Sequence, residues 1–182
     1  MKDLESIQIR LLELSDVESW LEQCHSLDAE SGKDSIYYGP YSKNEPFSID
    51  KIRKKTIKLW SADLITPGWR RAWGIFDTDR IIGSAQIAAG DLPSSVHRVD
   101  LGLGIYKEYR NLGLGQRLFH VIIEWCKQES RISWIDLGVF SGNDFAKNVF
   151  EKVGFVASGY REDAWRMDGH SVGETFMSLC VK

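Results

Sequence analysis

Arg110-Asn111-Leu112-Gly113-Leu114-Gly115 is the stretch of this sequence best equipped for chemistry. Its two glycines let the backbone turn tightly and come close to a ligand. Leu114, Leu118, Val121, Ile122 and Trp125 then recur at helical spacing, so a helix begins here. The free N–H groups of a first helical turn point outward, and the helix dipole favours a negative charge in front of them. The chemistry expected is the grip of a phosphate-bearing cofactor. Strand-to-helix turns without a ligand use the same glycines, so these six residues alone leave a plain structural turn open.

The element that must position this loop lies directly upstream. Val99, Leu101, Leu103 and Ile105 alternate with Asp100, Gly102, Gly104 and Tyr106, the period-two pattern of a strand with one larger apolar face. Around this strand–turn–helix unit the chain reads as follows. A first strand covers Ile7 to about Leu12, and a helix capped by Ser15 with Glu18 runs to about Leu27. Residues 28–47, with Tyr37, Tyr38, Tyr41, Pro40 and Pro46, read as a long loop that either shapes a site or simply connects. Ser48 caps a second helix striped by Ile49, Ile52, Ile57 and Leu59, whose lysines read as a solvated face. Arg71–Phe76 and Ile81–Ala89 form a hairpin in which Gly83 marks a bulge or a close approach. His97–Tyr106 makes the third strand of an antiparallel series. A helix over Gly113–Glu129 and a strand over Ile132–Phe140 then give a parallel crossover. Asp144–Val153 is a helix closed by Gly154. Phe155–Ala164 and Glu174–Val181 form a terminal hairpin turning at Met167–His170.

Composition narrows the function. With 182 residues, the expectation is a single domain spanning 1–182. A net charge of −3 provides no basic footprint for nucleic acid. No apolar run reaches the length of a membrane span, and MKDLESIQIR lacks a signal-peptide core. Cys24, Cys126 and Cys180 are odd in number and far apart, which reads as reduced thiols in a cytoplasmic protein. The four histidines lack ligand spacing, so no metal is expected.

At this point the sequence resembles the GNAT-type N-acetyltransferases, over essentially its whole length. IYKEYRNLGLGQRL is similar to the family's acetyl-CoA motif, with Arg110, Gly113 and Gly115 matching R/Q-x-x-G-x-G/A. NDFAKNVFEKVGF resembles a second family pattern, matched by Asn143, Ala146, Gly154 and Phe155. The tail, with DG at a hairpin turn and Glu174 before Met177, also looks like the ending of many members. The resemblance implies an α+β (mixed α/β) fold: a central mixed, mostly antiparallel sheet of about seven strands flanked by about four helices.

It also implies acetyl-CoA as co-substrate. Asn111, Leu112, Gly113, Leu114, Gly115 and Gln116 would supply main-chain N–H groups to its pyrophosphate. Leu103, Gly104 and Ile105 would offer backbone partners to the pantetheine arm, with Gly102 and Gly104 leaving room for it. The N–H of Ile105 would polarise the thioester carbonyl. Asn143 would bond the pantetheine, and Phe150 would pack against it. The reaction implied is direct attack by a primary amine of a small-molecule or peptide acceptor. Asp100 shares the face of Gly102 and Gly104 and is the candidate general base. His97 has the opposite parity, and His170 sits in a turn. Phe150 stands where the family commonly has Tyr as acid, so Tyr106, Tyr160 or water would have to serve instead. That departure keeps open an acyl-CoA-binding regulatory module with little turnover. A nucleotide-binding domain is disfavoured, because neither G-x-G-x-x-G nor a Lys-Ser/Thr pair follows the glycines. Acceptor identity, and monomer against homodimer, stay open.

Overall fold

The computed structural model describes residues 6–33, 36–43 and 48–182. In chain order the elements are β1 (Ile7–Leu11), α1 (Val17–Asp28), α2 (Ile49–Trp60), β2 (Arg70–Asp77), β3 (Arg80–Ala89), β4 (Arg98–Ile105), α3 (Leu114–Gln128), β5 (Trp134–Phe140), α4 (Asp144–Lys152), β6 (Val156–Met167) and β7 (His170–Cys180). The seven strands form one sheet in the order β1-β2-β3-β4-β5-β7-β6, in which only β4 and β5 run parallel. This is the expected mixed sheet with four helices among the described residues.

Alternation along the strands sends side chains to two cores. Trp73, Ile75, Ile87, Val99, Leu101 and Ile135 cluster with Leu118, Phe119 and Ile122 of α3 on one face. Ala72, Phe76 and Ile81 cluster with Val17, Trp20 and Leu21 of α1 and Trp60 of α2 on the other. The inward stripe of α2 is Ile52, Thr56 and Trp60, not the isoleucine stripe expected; Ile49 and Ile57 are exposed. Trp60 pulls that face inward by packing edge-on against Trp20, with ring centroids 5.2 Å apart.

Three other expectations change locally. Ser15 does not cap α1: residues Leu14–Asp16 form a 3₁₀ turn that leads into it. The Asp16 carboxylate takes the Glu13 N–H at 2.8 Å and both ends of the Arg10 guanidinium, and a charged acceptor outcompetes a serine hydroxyl. Glu18 instead pairs with Arg53 of α2. The terminal strands run longer than expected, because Asp168 and Gly169 both adopt positive φ (52° and 80°) and zip the hairpin up to its turn. The tyrosine-rich loop is anchored where it is described. Tyr37 is 3% exposed among Met167 and Val172, the Asp168 carboxylate accepts the Lys43 N–H, and the Asp168 N–H donates to Ser42 Oγ. Asp34, Ser35 and residues 44–47, Pro46 included, lie outside the described residues.

Gly83 marks both features expected of it. Ile75 pairs with Gly83 and Phe76 with Ile81, which leaves Ile82 as the extra residue of a bulge. A Cβ at Gly83 would sit 2.9 Å from Ile105 Cγ1 and 3.2 Å from the Gly104 carbonyl oxygen, and the latter is backbone that cannot step aside. Gly83→Ala should therefore destabilise the fold by about 1–3 kcal/mol, read as a lowered thermal midpoint. An unchanged midpoint would show that the bulge is looser than described.

Candidate active site

The site starts from a break in the sheet. β4 and β5 pair only at Arg98–Trp134, Val99–Ile135 and Asp100–Asp136. Beyond that point β4 stays with β3 up to Ile105, while β5 stays with β7 up to Phe140, so the two strands part. Tyr106 N–H donates to Ile82 O at 3.0 Å, which sets the register of the β3–β4 ladder. In that register Gly102 and Gly104 turn their backbone groups toward β3, and Leu103 and Ile105 turn theirs toward the parting. Leu103 and Ile105 thus lie as expected for partners of an extended arm. Gly104 does not: its carbonyl accepts Gln23 Nε2 at 3.2 Å, and a Cβ there would collide with Leu27 of α1. Only Gly102 has open space on that face.

The loop after β4 is fixed at both ends. Tyr109 is buried and its hydroxyl donates to Asp77 at 2.7 Å. Arg110 donates from Nε to Ile105 O (2.8 Å), from Nη1 to the Tyr38 hydroxyl (3.0 Å) and from Nη2 to Glu30 (2.7 Å). Its guanidinium therefore ties β4 to the segment after α1. Asn111 and Gly113 adopt positive φ (63° and 74°), which turns the chain into α3. Gly113 caps α3 with no side-chain hydrogen bond, a Cβ there would meet open space, and the first helical bond is Arg117 N–H to Gly113 O. The N–H groups of Leu114, Gly115 and Gln116 have no helical partner and are free for an anion. Buried Leu114 and Leu118 hold the helix in place.

Asn143 caps α4, its side-chain oxygen accepting the Ala146 N–H at 3.3 Å, which leaves its amide NH₂ to donate elsewhere. Phe150 packs at a steep angle against Phe119 and edge-on against Phe155, centroids 5.1 and 5.7 Å away.

On the α1/α2 side, at the last paired rung, a cavity of about 300 Å³ opens between β4, β5 and β7. Asp100 lines it with Asp136, Gly138, Glu174 and Phe176. Asp136 is fully engaged, accepting Arg98 Nε (2.7 Å), Arg98 Nη2 (2.5 Å) and Ser178 Oγ (2.6 Å). The Asp100 carboxylate accepts no hydrogen bond among the described residues. Desolvation within the cavity, then the neighbouring Asp136 charge, raise its pKa above the ordinary carboxylate range, with Arg98 opposing. Glu174, 8% exposed, accepts Trp165 Nε1 on Oε2 at 2.9 Å, while Oε1 lies over Gly138. His97 and His170 are both exposed and line no part of the cavity. Neither Tyr106, buried beneath Arg80, nor Tyr160, whose hydroxyl lies over Gly173, lines it either. Sequence reasoning missed Asp136. The signal was available: Ile135, Leu137 and Val139 point to the α3 core, so Asp136 and Gly138 must share the face of Asp100.

The model of the Acetyltransferase (GNAT) family matches residues 18–155. The chain is 28% identical over 121 residues to the L-amino acid N-acetyltransferase AaaT of Escherichia coli, covering 66% of this chain and 74% of that protein. A GNAT-family acetyltransferase from Streptococcus pneumoniae superposes with a TM-score of 0.79 at 21% identity, covering 97% of this chain and 99% of that one. The yncA protein of Salmonella typhimurium, solved with its cofactor acetyl-CoA, superposes at 0.80 with 13% identity, covering 97% and 95%. The parted strands, the uncapped N-terminus of α3 and the open space at Gly113 form a cradle that suits this co-substrate. With the family model spanning most of its length, the chain belongs to the GNAT family of acetyltransferases, enzymes that use acetyl-CoA.

Proposed function

We propose that the protein moves the acetyl group of acetyl-CoA to a primary amine by direct attack on the thioester, with Asp100 as general base. The observation that carries this reading is the position of Asp100. It sits on the last rung before β4 and β5 part, in a cavity, with its carboxylate unbonded to any other described residue.

The residues divide the work. The N–H groups of Asn111, Leu112, Gly113, Leu114, Gly115 and Gln116 hold the pyrophosphate. Arg110 contributes by holding the loop through Ile105, Tyr38 and Glu30. Leu103 and Ile105 give backbone bonds to the pantetheine arm, with Gly104 supporting the strand behind them, and the Ile105 N–H polarises the thioester carbonyl. The Asn143 amide donates to the arm, and Phe150 lines its path.

An alkylammonium loses its proton near pH 10.4 in water, about six units above an ordinary carboxylate. The raised pKa of Asp100 narrows that mismatch and makes it a better base. The ammonium gives one proton to Asp100, the C–N bond forms and the C–S bond breaks. The electron pair leaves on sulfur, and the second nitrogen proton ends on the thiolate through water. Phe150 supplies no acid, but a thiol ionises near pH ~8.5, so the thiolate is a tolerable leaving group. The Escherichia coli relative, named for L-amino acids, supports a small-molecule amine as acceptor.

Gly113→Asp should abolish acetyl-CoA binding in calorimetry while far-ultraviolet circular dichroism stays unchanged, because it sets a carboxylate against the pyrophosphate. Retained affinity would overturn the phosphate assignment. Asp100→Asn should lower kcat about 10²–10⁴-fold, the range for loss of a general base, and remove the acidic limb of the pH–rate profile. A profile with that limb intact would dismiss Asp100. The same variant should be more heat-stable than wild type at neutral pH. A raised native pKa means that the fold prefers protonated Asp100, so stability is lost as pH climbs from the ordinary carboxylate range through the raised value. Asn carries no such loss, and an unchanged midpoint at pH 7 would contradict the strain assigned to Asp100.

A further inference from the structure

We infer that Gln23 is a positioning residue for acetyl transfer: its buried amide orients and polarises the peptide unit that presents the Ile105 N–H. This rests on the reading above, in which that N–H meets the thioester carbonyl. The Gly104 carbonyl and the Ile105 N–H are the two ends of one trans peptide unit, so they point in opposite directions. The carbonyl faces β3, and the N–H faces the parting between β4 and β5. Gln23 lies on α1, 81 residues away in sequence, yet its Nε2 donates to that carbonyl at 3.2 Å. A donor on the carbonyl of a peptide makes the N–H of the same unit a stronger donor, because hydrogen bonds in a chain polarise one another. The effect is larger where water is excluded, and Gln23 is fully buried.

The surroundings of this bond hold it in one arrangement. Ser84 Oγ, itself buried, donates to Gln23 Oε1 at 2.7 Å, which leaves Nε2 as the end of the amide that faces Gly104. A reversed amide would set two carbonyl oxygens against each other. Ser84 is the β3 residue paired with Gly104, so both bonds of the amide fall on one rung of the sheet. Leu27, one turn further along α1, packs where a Cβ of residue 104 would stand, so only glycine lets the helix come this close. An apolar side chain would seat α1 on β3 without the desolvation cost of a buried amide. The amide that is there spends its donor on the peptide behind the Ile105 N–H. On the other side of Ile105, Arg110 Nε donates to the Ile105 carbonyl at 2.8 Å. The backbone is thus held before and after the N–H, which has one direction to take. Gln23 acts through this peptide from the β3 side of β4, without touching the reacting atoms.

The test compares wild type with Gln23→Met, which keeps the length of the side chain and removes the donor, and with Ser84→Ala, which keeps Gln23 but releases its amide. Each is assayed for kcat and KM. Each is also examined by isotope-edited infrared spectroscopy, without acceptor, for the thioester carbonyl stretch of bound acetyl-CoA labelled at that carbon. In wild type the stretch should lie below that of free acetyl-CoA. Removing an oxyanion donor outright costs about 10²–10³-fold in kcat, so weakening one should cost about tenfold. Gln23→Met should show that loss in kcat, an unchanged KM for acetyl-CoA and a stretch moved back toward the free value. Ser84→Ala should move kcat and the stretch the same way by less. A lowered thermal midpoint with kcat and the stretch as in wild type would overturn the inference and leave Gln23 a packing residue. A raised KM for acetyl-CoA with kcat intact would overturn it too. If Gln23→Met does not fold, Ser84→Ala decides alone, and an unmoved stretch there counts against the inference. A wild-type stretch equal to that of the free thioester would overturn the Ile105 assignment and this inference with it, while transfer to an amine would still stand.

Discussion

Everything at the site follows from one interrupted ladder. A parallel pair normally satisfies both strands along its length, but β4 and β5 share only three rungs. The interruption has structural causes on both sides. The bulge at Ile82 twists the β2–β3–β4 unit, and β7 pairs with the full length of β5 and draws it away. The backbone of Leu103 and Ile105 is left facing a space instead of a strand. Backbone groups in a protein interior need partners, and Arg110 already supplies one by donating to the Ile105 carbonyl. An extended ligand with amides of its own can supply the rest.

The same parting separates two electrostatic environments. Toward the C-terminal end of β4 the chain presents main-chain N–H groups and a helix dipole at Gly113–Gln116, which favour an anion. On the α1/α2 side it presents Asp100, Asp136 and Glu174 against the single guanidinium of Arg98, which favours a cation. An anion and a cation would thereby be sorted to different ends of one strand. Asp100 differs from its neighbour in its partners, since the Asp136 carboxylate is held by Arg98 and Ser178 while that of Asp100 has no side-chain partner among the described residues. The pKa of Asp100 is raised above its ordinary value, which makes it a better proton acceptor, as a base must be.

The periodic parts of the chain were legible in the sequence. Alternation over Val99–Ile105, the glycines after Arg110 and the capping Asn143 are local signals, and the strands and helices they mark stand where those signals place them. Parity put Asp100 on the cavity face, and the same parity on the next strand, β5, puts Asp136 there too, a signal that was present but missed. Contacts between distant segments were not legible. Gly104 looked like free space until Leu27 of α1 filled it. Arg110 matched a motif, but its partners Glu30 and Tyr38 lie in a loop with no regular pattern. Glu174 reaches the cavity only because β7 inserts between β5 and β6, and nothing in a terminal hairpin's own sequence dictates that insertion. Ser15 failed as a cap for a similar reason, with an ion pair between Arg10 and Asp16 deciding the turn.

The central claim is that acetyl-CoA completes the interrupted ladder. Residue-resolved amide hydrogen exchange with and without acetyl-CoA tests it most directly. Leu103 and Ile105 should slow on binding, together with Leu114, Gly115 and Gln116, while Gly102 and Gly104, already bonded to β3, should change little. That period-two pattern is specific to an arm lying along the free edge of β4. Binding that leaves Leu103 and Ile105 exchanging at their original rates would contradict the account.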